Sequence, residues 1–149
     1  MHKVIIDANL WISFLIGKKL RDLEKLCNDE SIFIITSPKI IEEFTDVSSR
    51  KKIRKYVNQE DINLTLKLLD KFNRGIVIED VYAPELRDPK DLHLLSLAKA
   101  ADAEFLLTGD KDLLVLKWYN LTEIISYSKF MARLEELSFL QIQTPQGLS

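Results

Sequence analysis

The sequence predicts an α/β fold: a three-layer α/β/α domain with a central, mostly parallel five-stranded sheet. Short apolar runs alternate with segments of helical spacing, which is typical of crossover units that place parallel strands between two layers of helices. The 149 residues match the size of one domain, and 46% of them are apolar, enough for one core. No apolar run reaches the roughly 18 residues that a membrane span requires.

Five apolar runs are short enough to be buried strands. They are Lys3–Ile6, Ile32–Thr36, Ile76–Ile78, Glu104–Leu107 and Glu123–Ile125. Between and after them, apolar residues recur every three or four positions and predict helices around residues 20–26, 40–47, 62–72, 94–98 and 130–137. We therefore expect a single domain over residues 1–137. Residues 138–149 lose the helical pattern after the first few positions and predict a loosely held tail.

Cysteine usage indicates the cellular compartment, whereas the net charge does not indicate whether the partner is a nucleic acid. The lone Cys27 excludes an internal disulfide, is interpreted as a buried apolar residue, and fits a reducing cytoplasm. Residues 1–7 predict a strand and lack the layout of a signal peptide. The net charge of −2 does not decide for or against nucleic acid. However, a basic segment could contact phosphates as one helical ridge, formed by Arg50, Lys51, Arg54 and Lys55.

Carboxylates fall where predicted strands end. Asp7 ends the first strand, and Asp110 and Asp112 follow the fourth in the stretch TGDKDL. Function in open α/β sheets gathers beyond the carboxyl ends of the strands. If these two strands are neighbours, the three carboxylates converge on one edge of the sheet.

Helical geometry selects one of two glutamates in the segment SPKIIEEF. Ser37 is a natural N-cap and Pro38 a natural first helical residue. With about 100° per residue, Glu43 lies on the shoulder of the core-facing side, whereas Glu42 points away from it. Glu43 is therefore a candidate site residue and Glu42 a solvated one.

The same geometry separates two aspartates in RDPKDLHLLSLAKAA. Asp88 before Pro89 has the pattern of an N-cap, which accounts for it structurally. Asp91 instead heads the apolar stripe of the following helix, at an angle of about 60° or less from Leu94, Leu95 and Ala98. A carboxylate that faces the core is costly unless a positive group meets it. We therefore interpret Asp91 as a site residue.

Several carboxylates at one edge need a cation. Repulsion among four or five of them is of order 10 kcal/mol at an effective dielectric near 20, comparable with the whole ~5–15 kcal/mol stability of a domain. Either some acids are protonated or a cation lies among them. Ligands that are all oxygen, without a His or Cys cluster, favour Mg²⁺ or Mn²⁺ over zinc. This predicts Asp110 as a ligand and Asp112 as a further ligand or a water-orienting group.

Other chemistries have weaker support. The four isolated glycines form neither GxGxxG nor a P-loop, so the substrate phosphate is expected on a polymer. The two histidines offer no Ser/His or Cys/His nucleophile set, and His93, about 160° from the core face of its helix, is interpreted as an exposed bystander. Trp11 is expected in the core, whereas the pattern does not decide between stacking and packing for Trp118 and Tyr119.

Four motifs in this order resemble the PIN-domain nucleases, over the stretch from Lys3 to about Leu137. They are Asp7-Ala8-Asn9, the segment from Ser37-Pro38 to Glu43-Phe44, Arg87-Asp88-Pro89-Lys90-Asp91, and TGDKDL. The chain is most similar to the toxin branch of type II toxin–antitoxin systems (VapC-like). Relatives often carry Thr or Ser in place of Ala8, and Gly near Asp102, where the helix ends.

The resemblance implies a parallel sheet flanked by helices and metal-dependent cleavage of RNA by a cytoplasmic endoribonuclease. Its acidic set matches Asp7, Glu43, Asp91 and Asp110, with Asp112 as an accessory acid. We expect Asp7, Asp91 and Asp110 to hold Mg²⁺ or Mn²⁺, and Asn9 and Thr108 to orient Asp7 and the Asp110 loop. The implied partners are an RNA substrate, a cognate antitoxin protein and a second copy of the chain.

Two further readings stay open at the level of the sequence. The first is a non-catalytic module that binds RNA or protein on the same fold. The second is a phosphatase or phosphotransferase that forms an aspartyl-phosphate on Asp7. That chemistry usually has a second acid two residues after the nucleophile, where this chain has Asn9.

Overall fold

The structure, a computed structural model, describes residues 1–143, and their side chains up to Leu140. Strands and helices alternate along this part of the chain. In order they are β1 (His2–Ile6), α1 (Ala8–Ile16), α2 (Leu20–Asn28), β2 (Ile32–Ile35), α3 (Pro38–Ser48), α4 (Lys51–Arg54), α5 (Gln59–Phe72), a 3₁₀ turn (Pro89–Asp91), α6 (Leu92–Ala101), β3 (Phe105–Leu107), α7 (Lys111–Leu114), β4 (Trp118–Tyr119), β5 (Thr122–Ile125) and α8 (Tyr127–Gln143).

The strands form one sheet in the order β2-β1-β3-β5-β4. The pairs β1–β2, β1–β3 and β3–β5 are parallel, and β4 pairs with β5 antiparallel. The predicted α/β fold with a mostly parallel five-stranded sheet is confirmed. The chain passes from β1 to β2 on one side and later returns to β3 on the other side of β1. Such a reversal opens a crevice at the carboxyl ends of the two strands, here β1 and β3.

The strand register aligns polar residues along one edge. Ile6 lies opposite Leu107, and Leu107 lies opposite Ile125. The next residues of these strands are Asp7, Thr108 and Ser126. We call this edge, where β1, β3 and β5 end, the carboxyl rim. Two of the predicted acids lie at this rim, Asp7 directly after β1 and Asp110 three residues after the end of β3.

Helix α1 is not among the predicted helices. Its residues Ala8, Trp11, Ile12, Phe14 and Leu15 are all buried, and its sequence ANLWISFLI is apolar on most sides. A short run of this kind cannot be assigned to helix or strand by its periodicity. Trp11 has no exposed surface, as predicted for a core residue, whereas Trp118 is 57% exposed.

The predicted strand at Ile76–Ile78 is wrong. This segment belongs to no helix or strand. Ile76 and Ile78 pack against the core while Val77 between them is 85% exposed, so the apolar run reflects contacts of a loop. The sheet still has five strands, because the short strand β4 takes the place of the predicted one. Two residues are too few to show a strand period in sequence.

Helix ends follow the predicted signals where a cap is available. Ser37 caps α3 by accepting a hydrogen bond from Ile40 N at 3.2 Å, with Pro38 as the first helical residue. Helix α8 continues through Ser138 to Gln143, so the predicted tail begins as helix, and residues 144–149 lie outside the described part of the chain. No helix of the described residues is both long and apolar enough to cross a membrane.

The end of α6 generates a stability prediction. Asp102 caps the helix in the left-handed conformation, at φ 50° and ψ 49°. This conformation strains residues with a Cβ but not glycine, although glycine costs more backbone entropy on folding. Asp102→Gly should raise the free energy of unfolding by about 0.5–1 kcal/mol, measured by urea denaturation. Asp102→Ala, the control, should lower it, and an unchanged midpoint for the glycine variant would contradict strain at this position.

Candidate active site

Asp7 is the buried centre of the carboxyl rim. It follows β1, caps α1 and is only 3% exposed. Its Oδ1 accepts a hydrogen bond from Asn9 N at 3.2 Å, and its Oδ2 accepts one from Thr108 Oγ1 at 2.8 Å. Burial raises the pKa of Asp7, the two hydrogen bonds lower it, and the charge of Asp110 raises it again. The two donors therefore hold an anion that burial disfavours.

Thr108 connects Asp7 to the Asp110 loop. Its hydroxyl donates to Asp7 and accepts a hydrogen bond from Asp110 N at 3.0 Å. Asp110 in turn caps α7, its Oδ1 accepting from Asp112 N at 2.8 Å. One buried hydroxyl thereby fixes both the carboxylate after β1 and the loop after β3. The supporting role predicted for Thr108 has a direct structural basis, whereas Asn9 contacts Asp7 through its backbone N–H.

Asp91 completes a group of three neighbouring carboxyl groups. It ends the 3₁₀ turn before α6 and does not cap the helix with its side chain. Its Oδ2 is buried and has no hydrogen-bond partner among the described residues. Burial, a side-chain contact with Asp110 and the charges of Asp110, Asp7 and Asp88 raise the pKa of Asp91 to about 8. Mutual repulsion between Asp91 and the other two acids is therefore a property of this site.

The local sequence explains why Asp91 is available. Asp88 does the capping, its Oδ1 accepting a hydrogen bond from Lys90 N at 3.0 Å, and Pro89 follows as the first residue of the turn. The predicted structural role of Asp88 agrees with this contact. Because the turn is closed by Asp88, the Asp91 carboxyl group needs no backbone partner and lies against Asp110.

His93 is not the exposed bystander that the helical wheel predicts. Its side chain is 17% exposed, and its Nε2 lies 2.9 Å from Glu43 Oε1. The N–H is not directed along this line, and both ring nitrogens are buried without a hydrogen bond among the described residues. The charge of His93 lowers the pKa of Asp7. A helical wheel gives the direction in which the His93 side chain leaves α6. It does not show that Glu43 of α3 packs against this side of α6.

Glu43 and Glu42 separate as predicted. Glu43 is partly buried and faces His93, whereas Glu42 is exposed and lies 3.6 Å from Lys39 on the surface of α3. Glu43 therefore faces His93, and no hydrogen bond joins it to Asp7 among the described residues. The position of Glu43 at the edge of the core could have indicated such a neighbour, because a partly buried carboxylate needs a polar or positive partner.

An open cleft of about 320 Å³ gives access to the acids, and we call it the acidic cleft. It is lined by Asp7, Asn9, Leu10, Ser13, Gly109 and Asp110. The substrate would therefore approach between the first turns of α1 and the loop after β3, beside the crevice that the strand order opens.

Comparison with known proteins agrees with this geometry. The family model described as PIN domain matches residues 3–112, a span that contains all the predicted acids. The chain belongs to the PIN domain family. It is also 35% identical over 125 residues to an uncharacterized protein of Methanocaldococcus jannaschii, a match that covers 79% of this chain and 77% of that protein. No solved structure matches the chain significantly. PIN domains are generally nucleases that use divalent metals, so this chain has a nuclease fold.

The donor groups of this PIN domain fit a hard divalent cation. Among the described residues, no three His, Cys, Asp or Glu side chains are arranged so that together they could hold a metal ion. The chemistry nevertheless fits, because the neighbouring donors of Asp7, Asp91 and Asp110 are carboxylate oxygens, which Mg²⁺ and Mn²⁺ prefer. A divalent cation beside these groups would offset the repulsion that raises the pKa of Asp91 and would give its unpartnered Oδ2 a partner.

The remaining predicted residues are more exposed than Asp7. Asp112 Oδ1 is 4.0 Å from Arg87 Nη1, and the two side chains are 36% and 86% exposed. In the basic segment, only Lys51–Arg54 are helical, and Arg50 before them pairs with Asp46 at 2.8 Å. The exposed residues of this segment are the four predicted ones, Arg50, Lys51, Arg54 and Lys55, and in addition Lys52. Their predicted contact with RNA stays a prediction.

The raised pKa of Asp91 predicts a pH-dependent stability. Between the ordinary pKa of 3.8 and about 8, the folded metal-free protein keeps a proton on Asp91 that the unfolded chain releases. Because the folded state binds more protons, the free energy of unfolding should fall as pH rises through this window. Urea denaturation in EDTA at pH about 5 and about 8.5 measures the slope. Asp91→Asn cannot titrate and should show a smaller slope; equal slopes would contradict the assignment.

Proposed function

We propose that this PIN domain is a metal-dependent endoribonuclease that cleaves phosphodiester bonds of RNA with Mg²⁺ or Mn²⁺. The observation that carries the proposal is the acid group, in which Asp7 is buried and Asp91 and Asp110 are partly buried. Burial, the contact with Asp110 and the charges of Asp110, Asp7 and Asp88 raise the pKa of Asp91 to about 8, and Asp91 Oδ2 has no hydrogen-bond partner among the described residues. A divalent cation supplies the missing positive charge.

Each side chain of the site has a separate proposed role. Asp7, Asp91 and Asp110 hold the metal, which, when bound, lowers the pKa of a water molecule and stabilises charge on the leaving oxygen. Thr108 keeps the Asp7 and Asp110 carboxylates in register through its two hydrogen bonds. Glu43, beside His93, is a further carboxylate at the edge of the acid group and would orient a proton-bearing group of the substrate. Asp112 is an accessory acid at the surface.

RNA as the substrate is supported by three features. The resemblance to toxin-branch nucleases implies it, the acidic cleft is open enough for a polymer strand, and the exposed basic segment from Arg50 to Lys55 offers contacts to backbone phosphates. These cations lie on and around α4, which follows the C-terminal end of α3, the helix that carries Glu43. They would therefore hold the strand at a distance from the cleaved bond.

Cleavage of single-stranded RNA tests the proposal. Purified protein with Mn²⁺ should cleave a labelled oligonucleotide, and Asp7→Asn should reduce kcat/KM by at least about 100-fold because an anionic ligand is lost. Glu43→Gln should reduce it about 10- to 100-fold, whereas Glu42→Gln, the matched control on the same helix, should cleave normally. Equal cleavage by wild type and Asp7→Asn would show that a contaminating nuclease is responsible.

Metal titration separates the enzyme from a non-catalytic binding module on the same fold. Calorimetry with Mn²⁺ should show binding by the wild type and weaker binding by Asp7→Asn. Absence of both metal binding and cleavage would favour the binding module. Trapping of a beryllofluoride adduct on Asp7 would instead favour aspartyl-phosphate chemistry.

We further propose that the nuclease is the toxin component of a toxin–antitoxin pair, on the strength of its four motifs. Exposed apolar side chains at Val115, Trp118 and Leu121, which are 72%, 57% and 84% exposed, are available to an antitoxin or a second copy of the chain. Induced expression in a bacterial host should arrest growth, and Asp7→Asn should not. Coexpression of a small protein encoded beside the gene should restore growth; normal growth with active wild-type nuclease would contradict the toxin role.

A further inference from the structure

A second, smaller cavity adjoins the acidic cleft. It has a volume of about 190 Å³ and is lined mainly by apolar surface, from Leu10, Ser13, Phe14, Gly17, Lys19 and Tyr127. Leu10 and Ser13 line the acidic cleft as well. The two cavities therefore share a wall on α1, and we call the second one the side pocket.

The fold explains why the side pocket lies at the carboxyl rim. Leu10, Ser13, Phe14 and Gly17 are three or four residues apart and form one side of α1, which begins directly after Asp7. Tyr127 starts α8, two residues after the end of β5. The walls of the pocket thus follow β1 and β5, two strands that end at the carboxyl rim.

The lining suits a flat, apolar ring. Phe14 and Tyr127 pack edge to face, with ring centroids 4.7 Å apart and an interplanar angle of 89°. Phe14 is buried and Tyr127 half-buried, so the pocket has a fixed aromatic wall. Burial and the charge of Asp22 raise the pKa of Tyr127, which keeps its hydroxyl protonated as a donor. Lys19 is exposed and contributes one cation at the mouth of the pocket.

We propose that the side pocket seats the base of a nucleotide that adjoins the cleaved phosphodiester bond. This inference rests on the proposed ribonuclease function and adds a substrate subsite to it. The occupant follows from the chemistry: aromatic walls bind bases of any sequence, whereas a phosphate would need more cationic groups than Lys19. Its continuity with the acidic cleft through Leu10 and Ser13 allows one strand to place a phosphate at Asp7 and the neighbouring base in the pocket.

Blocking the pocket tests the proposal without disturbing the core. Ser13 is exposed and lines both cavities, so Ser13→Phe places a ring between them. Loss of one stacked base corresponds to about a 5- to 150-fold weaker interaction, and kcat/KM for single-stranded RNA should fall by this factor. Ser138→Phe is the matched control, because Ser138 is also an exposed helical serine and lies about 16 Å along α8 from Tyr127.

Abasic substrates identify the occupant. One abasic nucleotide is moved through the RNA, and at one position beside the cleaved bond it should lower kcat/KM for wild type and for Ser138→Phe, but have little effect on Ser13→Phe. Equal abasic effects in wild type and Ser13→Phe, or normal cleavage by Ser13→Phe, would overturn the base subsite. In that case the alternative is that the side pocket binds a side chain of a protein partner.

A binding measurement separates this proposal from the nuclease proposal. Fluorescence anisotropy with Asp7→Asn protein compares intact and abasic RNA in the absence of turnover. If wild type cleaves no RNA but the base-dependent affinity is present and is lost in Asp7→Asn/Ser13→Phe, the subsite holds and the nuclease proposal fails. If neither cleavage nor base-dependent affinity is found, both fail.

Discussion

The Thr108 hydroxyl is the contact on which the candidate site depends. It donates to Asp7 and accepts from the backbone of Asp110, so the ends of two neighbouring strands are tied together by one buried side chain. A hydroxyl offers one donor and can accept as well, and both capacities are used here. Without this link, repulsion between the Asp7 and Asp110 carboxylates would favour separation of the loop after β3 from β1. The sheet register makes the contact possible, because Ile6 and Leu107 are paired and Asp7 and Thr108 follow them.

The acid group shows how a fold of this size concentrates charge without losing stability. Each carboxyl group is handled differently. Asp7 is buried with two hydrogen-bond donors, Asp110 accepts from the first turn of α7, and Asp91 has a pKa raised to about 8. Ionisation is thus most unfavourable at Asp91, the carboxyl group whose Oδ2 lacks a partner among the described residues. Metal binding at Asp91 would be coupled to folding stability, because both would depend on whether the Asp91 proton is present.

Prediction from the sequence succeeded where local chemistry decides the outcome. Ser37 and Asp88 cap as expected because N-capping depends on a side chain and a backbone a few residues away. Helical geometry also distinguishes Glu43, which is partly buried, from Glu42, which is exposed. Three features could not be predicted in this way. They are the loop conformation of Ile76–Ile78, the helix α1 and the position of His93. In each case, the apolar or polar pattern of one segment does not state which other segment lies against it.

The sequence by itself determined the alternation of strands and helices, the residue types at the strand ends and the oxygen-rich donor set, because these follow from local periodicity and side-chain chemistry. Only the tertiary structure decided that β1 and β3 are neighbours, that Thr108 joins Asp7 to Asp110, and that His93 faces Glu43. These contacts join residues from 50 to 101 positions apart in the chain, and strand order and helix packing bring them together. The distance between such residues depends on the whole sheet, which no single stretch of sequence encodes.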